Sequence, residues 1–237
     1  MQLHEISEHS TKIWLSDHVR SDFQVDWFEP MQSSAESTVT EWQSGRQPIV
    51  RINVDARNMV LRHYCRGGLP AHFSKDKFVF QGFEASRPHR ELTILHHMRK
   101  LGLPVPEPIA ARCVVKGFLY TADILMGEIV SSKTLAQMVF ENKLPQEAWV
   151  KVGQMIWQFH QQGIQHVDLN ADNILFDQAG DIYLIDFDRC VQRSYSQAWA
   201  RAGLERLKRS LDKQKEIKPG TNFQKNDFDY LMQGYQA

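Results

Sequence analysis

Alternating and continuous apolar runs of strand length mark the first half of the chain, and apolar residues at helical spacing mark the second. Pro48–Val54 and Met59–Tyr64 are short β-rich runs separated by the turn-like Asp55–Asn58, which predicts a hairpin. A helix follows: Pro88 suits its first turn, Leu92, Leu95 and Met98 recur at helical spacing, and Gly102 with Pro104 ends it. Val105–Pro108 reads as a rigid extended connector, and Phe118–Met126 as a further strand ending at Gly127. Beyond Ser131 the spacing turns helical. A short helix is predicted over Thr134–Phe140 and a longer one over Gln146–Gln162, with Trp149, Val152, Ile156 and Phe159 on one face and Gly163 as terminator. Two short strands, Ile174–Phe176 and Ile182–Ile185, are joined by the turn Asp177–Asp181, and the remainder reads as helical. Residues 1–40 are polar with isolated aromatics at Trp14, Phe23, Trp27 and Phe28, and Gln32–Thr38 reads as a Ser-rich loop. The order is α+β, with a sheet-rich segment 1–127 carrying one main helix and a mainly helical segment 128–237.

Composition changes this picture little. Apolar residues make up 42% and charged residues 24% of the 237, ordinary for a globular enzyme. The 28 basic and 28 acidic side chains cancel, so overall charge gives no support to a nucleic-acid partner. Cys65, Cys113 and Cys190 are odd in number and far apart, which points to reduced thiols rather than a disulfide framework or zinc knuckle. The N-terminal residues lack a basic region and an apolar stretch of the signal-peptide kind, and no run approaches the roughly 18–20 apolar residues that span a bilayer. A cytoplasmic protein is expected, with any membrane association peripheral.

The chemistry is concentrated in Gly163–Phe176. There His166, Asp168 and Asn173 stand in the pattern H-x-D-L-x-x-x-N, followed by a hairpin ending in Ile185-Asp186-Phe187. Phosphoryl transfer needs a carboxylate to accept or orient the proton of the attacking hydroxyl, and Asp168 is placed for that. It also needs an amide oxygen and a second carboxylate to hold Mg²⁺ against the phosphates, which suits Asn173 and Asp186. An ordinary hairpin also collects Asp and Asn in its turns. It has no reason to set His, Asp and Asn at this spacing and an Asp-Phe pair at the end of the second strand. Several other polar residues read as structural: His96-His97 has no matching ligands, His160 and Trp157 read as packing residues, and His166 as a loop-positioning residue.

This constellation resembles the protein-kinase-like superfamily, and the order of the two segments agrees with its bilobal fold. The resemblance implies ATP and Mg²⁺ as cofactors, a phosphate-covering loop, a basic residue on the third strand and a helix carrying its Glu partner. Glu91 matches that partner. Gly45, in Ser44-Gly45-Arg46, takes the place of the glycine-rich loop without its G-x-G-x-x-G pattern. Arg62 stands where the strand lysine is expected, and its guanidinium can fork onto both phosphate and carboxylate. Lys75 and Lys77 are the alternatives. Asp186 is followed by Phe187-Asp188 rather than by Phe-Gly, and no A-P-E-like segment follows, which argues against a protein substrate.

The stretches Leu61–Leu69, Gly102–Pro106, His166–Leu175 and Leu204–Leu211 are similar to the bacterial 3-deoxy-D-manno-octulosonic acid (Kdo) kinases. That resemblance implies phosphorylation of the 4-hydroxyl of a Kdo sugar on a lipid A precursor, in lipopolysaccharide core biosynthesis at the cytoplasmic face of the inner membrane. A heptose kinase, an aminoglycoside-type kinase and a nucleotide-binding pseudokinase scaffold are the alternatives. The basic C-terminal segment bears on the membrane: Arg201, Arg206, Lys208, Arg209 and Lys213 flank Trp199, Leu204, Leu207 and Leu211, which lie close to one helical stripe. Such a helix can rest on anionic headgroups, or it can pack its stripe inward and leave a solvated basic face. Arg66, in Arg-Gly-Gly, is a further candidate for phosphate or carboxylate contact.

Overall fold

The computed structural model describes residues 3–29, 40–44, 47–54, 57–66, 76–141, 144–217 and 220–236. It divides into two compact units, Met1–His97 with Pro106–Glu128, and Met98–Val105 with Ile129–Ala237.

The first unit is built on strands β1 (His4–Glu8), β2 (Thr11–Leu15), β3 (Thr40–Ser44), β4 (Gln47–Val54), β5 (Arg57–His63), β6 (Phe78–Val79), β7 (Pro108–Lys116) and β8 (Leu119–Gly127). They form one sheet in the order β1-β2-β7-β8-β5-β4-β3, with β6 paired to β8. Helix α1 (Arg87–Lys100) begins in this unit. The predicted hairpin is β4–β5, in antiparallel register with Ile52 opposite Met59. Its second strand starts two residues earlier than the apolar run suggested, because Arg57 and Asn58 extend the ladder opposite Val54 and Asn53.

Two differences from the sequence pattern stand out. β7 begins at the proline that closes the predicted connector and runs beside β8 for its whole length. Residues 3–29, read as polar chain, add the β1–β2 hairpin to the edge of β7 and then two short 3₁₀ turns, Asp17–Val19 and Val25–Phe28. Their aromatics are anchors. Trp27 and Phe28 are buried with Ile13, Leu15, Met59 and Leu125 in one apolar cluster. Trp14 is fully buried, with its ring 4.9 Å from that of His89 on α1. Burying side chains of this size supplies roughly 1.5–3 kcal/mol each, which is what holds a short, otherwise polar segment on the sheet.

The second unit holds β9 (Lys133–Thr134), α2 (Leu135–Glu141), α3 (Gln146–Gln161), β10 (Ile164–Gln165), β11 (Ile174–Phe176), β12 (Ile182–Leu184), β13 (Val191–Gln192), α4 (Gln197–Ile217) and α5 (Lys225–Gln236). Its strands pair as β12-β11-β9 and β10-β13. α3 buries Trp149, Val152, Ile156 and Phe159, the face expected from its spacing. Gly153 on α3 and Gly234 on α5 let the two helix backbones touch. A Cβ at Gly153 would lie 2.0 Å from the Leu231 carbonyl oxygen, and one at Gly234 2.0 Å from that of Val150. α4 buries Trp199, Leu204, Leu207 and Leu211. Its apolar stripe is therefore used in packing the unit, and the side that remains exposed is the basic one.

Candidate active site

The motif loop begins where α3 ends. Gly163 takes φ +70°, and its Cβ position would fall 2.2 Å from the Arg193 carbonyl oxygen, so the turn admits only glycine. β10 then leads into His166, whose buried ring packs edge-on against Phe187 at 5.1 Å. His166 Nε2 lies 2.9 Å from the Ile185 carbonyl oxygen. A carbonyl can only accept, so Nε2 carries the proton. Burial holds His166 below the usual histidine range, against the Ile185 hydrogen bond and the nearby charges of Asp186 and Asp168, which pull the other way. The ring is thus a neutral strut that ties the loop to the end of the hairpin.

Asn170 and Asn173 lock the loop itself. Both side-chain amides donate to the carbonyl of Asp168, at 3.0 and 2.9 Å. The Asn170 carbonyl oxygen also accepts from the backbone N–H of Asp172 and Asn173, capping a 3₁₀ turn over Ala171–Asn173. Because the Asn173 nitrogen is spent on Asp168, its Oδ1 is the atom left to act as an acceptor or ligand. The hairpin β11–β12 returns the chain so that Ile185 N–H donates to the Asn173 carbonyl at 3.0 Å. Asp186 is therefore set next to the loop, exposed, with φ +66°. A non-glycine residue in that left-handed region costs of order 1–2 kcal/mol. The Asn173 amide oxygen and the exposed Asp186 carboxylate are both hard-oxygen donors. Mg²⁺ takes one or two such protein ligands and completes its shell with water and phosphate oxygens, so these residues fit it. Among the described residues no cluster of three or more His, Cys, Asp or Glu forms a closed metal cage.

Asp168 has its carboxylate about half exposed, at 56%, and Arg206 of α4 donates to its Oδ1 from Nη1 at 3.1 Å. In the sequence, Arg206 reads only as one of several basic residues of the C-terminal segment. A contact 38 positions away leaves no local signal.

In the first unit, Arg62 of β5 and Glu91 of α1 meet through Arg62 Nη2 and Glu91 Oε2 at 2.5 Å, with side-chain exposures of 10% and 1%. Tyr64, also buried, donates its hydroxyl to the same oxygen at 2.5 Å, and burial above all holds that hydroxyl protonated. The Arg62 guanidinium lies 5.0 Å from the Tyr64 ring, Arg87 4.6 Å from the Phe78 ring, and Arg66 5.3 Å from Phe78. Of the alternatives to Arg62, Lys77 is exposed, while Lys75 lies outside the described residues, as does Gly45. His96 pairs with Ser16 Oγ at 2.6 Å, and His160 with the Tyr235 hydroxyl at 2.7 Å and the Trp199 ring, so both are packing residues.

Residues 32–235 match the family model described as the lipopolysaccharide kinase (Kdo/WaaP) family. The chain belongs to that family. It is accordingly a kinase, a phosphotransferase with an alcohol acceptor, and its α+β architecture is the protein-kinase-like one. Similar curated proteins include a 3-deoxy-D-manno-octulosonic acid kinase of Vibrio vulnificus, 35% identical over 89% of this chain and 88% of its own. The protein of that name from Photobacterium profundum is 32% identical over 99% and 98%. One from Stenotrophomonas maltophilia is 42% identical over 74% and 70%.

Proposed function

We propose that the protein transfers the γ-phosphoryl group of ATP to the 4-hydroxyl of a Kdo sugar on a lipid A precursor, as a step of lipopolysaccharide core biosynthesis. The observation that carries the substrate is the similarity, over nearly the whole chain, to proteins named 3-deoxy-D-manno-octulosonic acid kinase. The loop supplies the chemistry. Asp168 accepts the proton of the acceptor hydroxyl as that oxygen bonds to the γ-phosphorus and the bond to the departing ADP oxygen breaks. Asn173 and Asp186 hold Mg²⁺, which when bound neutralises charge on the phosphates. Arg62, kept in place by Glu91 and Tyr64, turns its guanidinium to phosphate oxygens. Residues 1–237 then act as a single kinase-like domain, and no protein substrate or nucleic acid takes part.

The work place of such an enzyme is the cytoplasmic face of the inner membrane, where the acceptor is held. No helix among the described residues is long and apolar enough to cross a membrane. With the leucines of α4 packed inward, contact with anionic headgroups would be electrostatic, through Arg201, Lys208, Arg209 and Lys213. Binding to anionic vesicles in co-sedimentation should then fall steeply as salt shortens the screening length below about 8 Å.

The acceptor is tested by incubating the protein with ATP, Mg²⁺ and a Kdo-bearing lipid A precursor beside heptose-bearing and aminoglycoside acceptors. A monophosphorylated Kdo product is expected. Transfer only to another acceptor, or to none, overturns the reading.

A further inference from the structure

One stripe of α4 lies on the motif loop. Positions 203, 206 and 210 are spaced i, i+3, i+7, and each meets a different loop residue. The Cβ position of Gly203 is 3.8 Å from Leu169 Cδ2. Arg206 Nη1 donates to Asp168 Oδ1 at 3.1 Å. Ser210 Oγ accepts the backbone N–H of Ala171 at 3.0 Å. The helix cannot drift relative to these contacts, because Leu204, Leu207 and Leu211 bury the adjoining face.

The loop is rich in carboxylates. Asp168, Asp172 and Asp186 all stand on or beside it, and the 166–173 segment carries no Lys or Arg of its own. Arg206 supplies a cation from elsewhere in the chain. Stability is a poor reason for this pair: both partners are about half exposed, at 48% and 56%, and an exposed pair contributes little while two flexible side chains lose their freedom. Position is a better reason. An exposed aspartate rotates about its own side-chain bonds, whereas a proton acceptor must point at the reacting hydroxyl.

We infer that Arg206 is a positioning residue of the phosphoryl-transfer centre: it holds Asp168 by Oδ1 and so turns Oδ2 toward the acceptor hydroxyl. The inference rests on the reading of Asp168 as the proton acceptor. Arg206 acts through one nitrogen, and its anchor is the packed body of α4, so the loop and the helix work as one unit. A lysine can reach the same oxygen as a point charge, without the fork that a two-oxygen contact would need.

The test compares wild type, Arg206→Ala, Arg206→Lys and Asp168→Ala with ATP and the Kdo-bearing acceptor, and follows kcat, KM for each reactant and the melting temperature. Arg206→Ala is expected to lower kcat by ~10- to 10²-fold, the range that loss of orientation produces, with KM for ATP within about threefold. Its melting temperature should stay within about 2 °C of wild type, as an exposed pair requires. Arg206→Lys should recover most of the loss. Added guanidinium ion should restore part of the activity to Arg206→Ala and none to Asp168→Ala. An Arg206→Ala enzyme with kcat within twofold of wild type overturns the inference and leaves a surface ion pair. Equal loss in Arg206→Ala and Arg206→Lys with a large drop in melting temperature also overturns it, in favour of a merely structural role. An active wild type with full activity in Asp168→Ala overturns the reading of Asp168 and this inference with it, and an inert wild type overturns the Kdo-kinase reading itself.

Discussion

The two units treat the ionisable side chains that they bury in opposite ways. In the first, buried charges are kept and paired. Arg62 and Glu91 are joined inside the protein, and His63, Asp123, Arg112 and Glu29 form a chain of contacts across β5, β8, β7 and the N-terminal segment. The hydrogen bond to Asp123 lifts His63 above the usual histidine range. In the second unit the buried histidines are kept neutral, and the charged pairs Asp168–Arg206, Arg201–Glu205 and Lys208–Asp212 lie at the surface. Burial drives His160 down to about 4 and lowers His166. Asp227 is the exception, buried at the first turn of α5 where it accepts the Gln224 N–H at 2.7 Å. The first unit thus depends on its buried pairs, since Arg62, Glu91 and Asp123 are tolerable inside it only while partnered. The second depends on apolar packing around its buried histidines, with the carboxylates of Asp168 and Asp186 left in contact with solvent.

Breaking a network should therefore have the largest effect. Glu91→Ala removes the buried carboxylate that faces the Arg62 guanidinium and should lower unfolding free energy by about 3–5 kcal/mol, read by denaturant titration. A loss under about 1 kcal/mol would mean that water reaches the site and that the pair behaves as a surface one. The corresponding change in the second unit, Asp168→Ala, should leave stability nearly unchanged. It should cut turnover by ~10²-fold or more while ATP still binds, which kinetics and a binding titration separate.

The histidines sharpen the contrast through the sign of their pH dependence. His160 refuses a proton until about pH 4, whereas in the unfolded chain it takes one near its usual 6.5. Its contribution is complete above 6.5 and is lost progressively between 6.5 and 4, because the unfolded state binds the extra proton. His63 runs the other way: its raised value makes its contribution complete below 6.5 and lost as pH rises through the folded-state value. Stability curves over about pH 4–8 for His160→Gln should be flatter than wild type on the acid side, and for His63→Gln flatter on the alkaline side. Parallel curves would show that neither site differs from the unfolded chain. The smallest effect is expected at a surface pair: Glu205→Gln should change stability by no more than about 0.5 kcal/mol, since Arg201 and Glu205 are one helical turn apart in solvent.

Legibility in the sequence followed the same division between local and distant causes. α1, α3 and the β4–β5 hairpin were readable because periodicity and terminators lie within each element. The course of the loop was readable for the same reason: His166, Asp168 and Asn173 lie within eight consecutive residues, and the β11–β12 hairpin that leads to Asp186 follows directly. The N-terminal segment was not, because Trp14, Trp27 and Phe28 are isolated in sequence and become core residues only when β2 docks on β7. β7 was hidden behind its own opening proline. Arg206 was visible as a basic residue but not as a partner of Asp168, since α4 must first pack before its polar stripe meets the loop.

The left-handed backbone at Asp186 restricts how this enzyme can drift. With Asp186 as the metal ligand proposed above, the position would satisfy two demands at once, a conformation that few side chains accept and a carboxylate to offer the metal. Glutamate keeps the charge but fits the backbone poorly. Glycine relaxes the backbone but brings no oxygen. Asparagine accepts the conformation as readily as aspartate while giving up the charge. One such exchange would yield a descendant that folds as well as its parent and transfers phosphate poorly. Position 186 is therefore where a lineage could pass from enzyme to inert binder with its architecture intact.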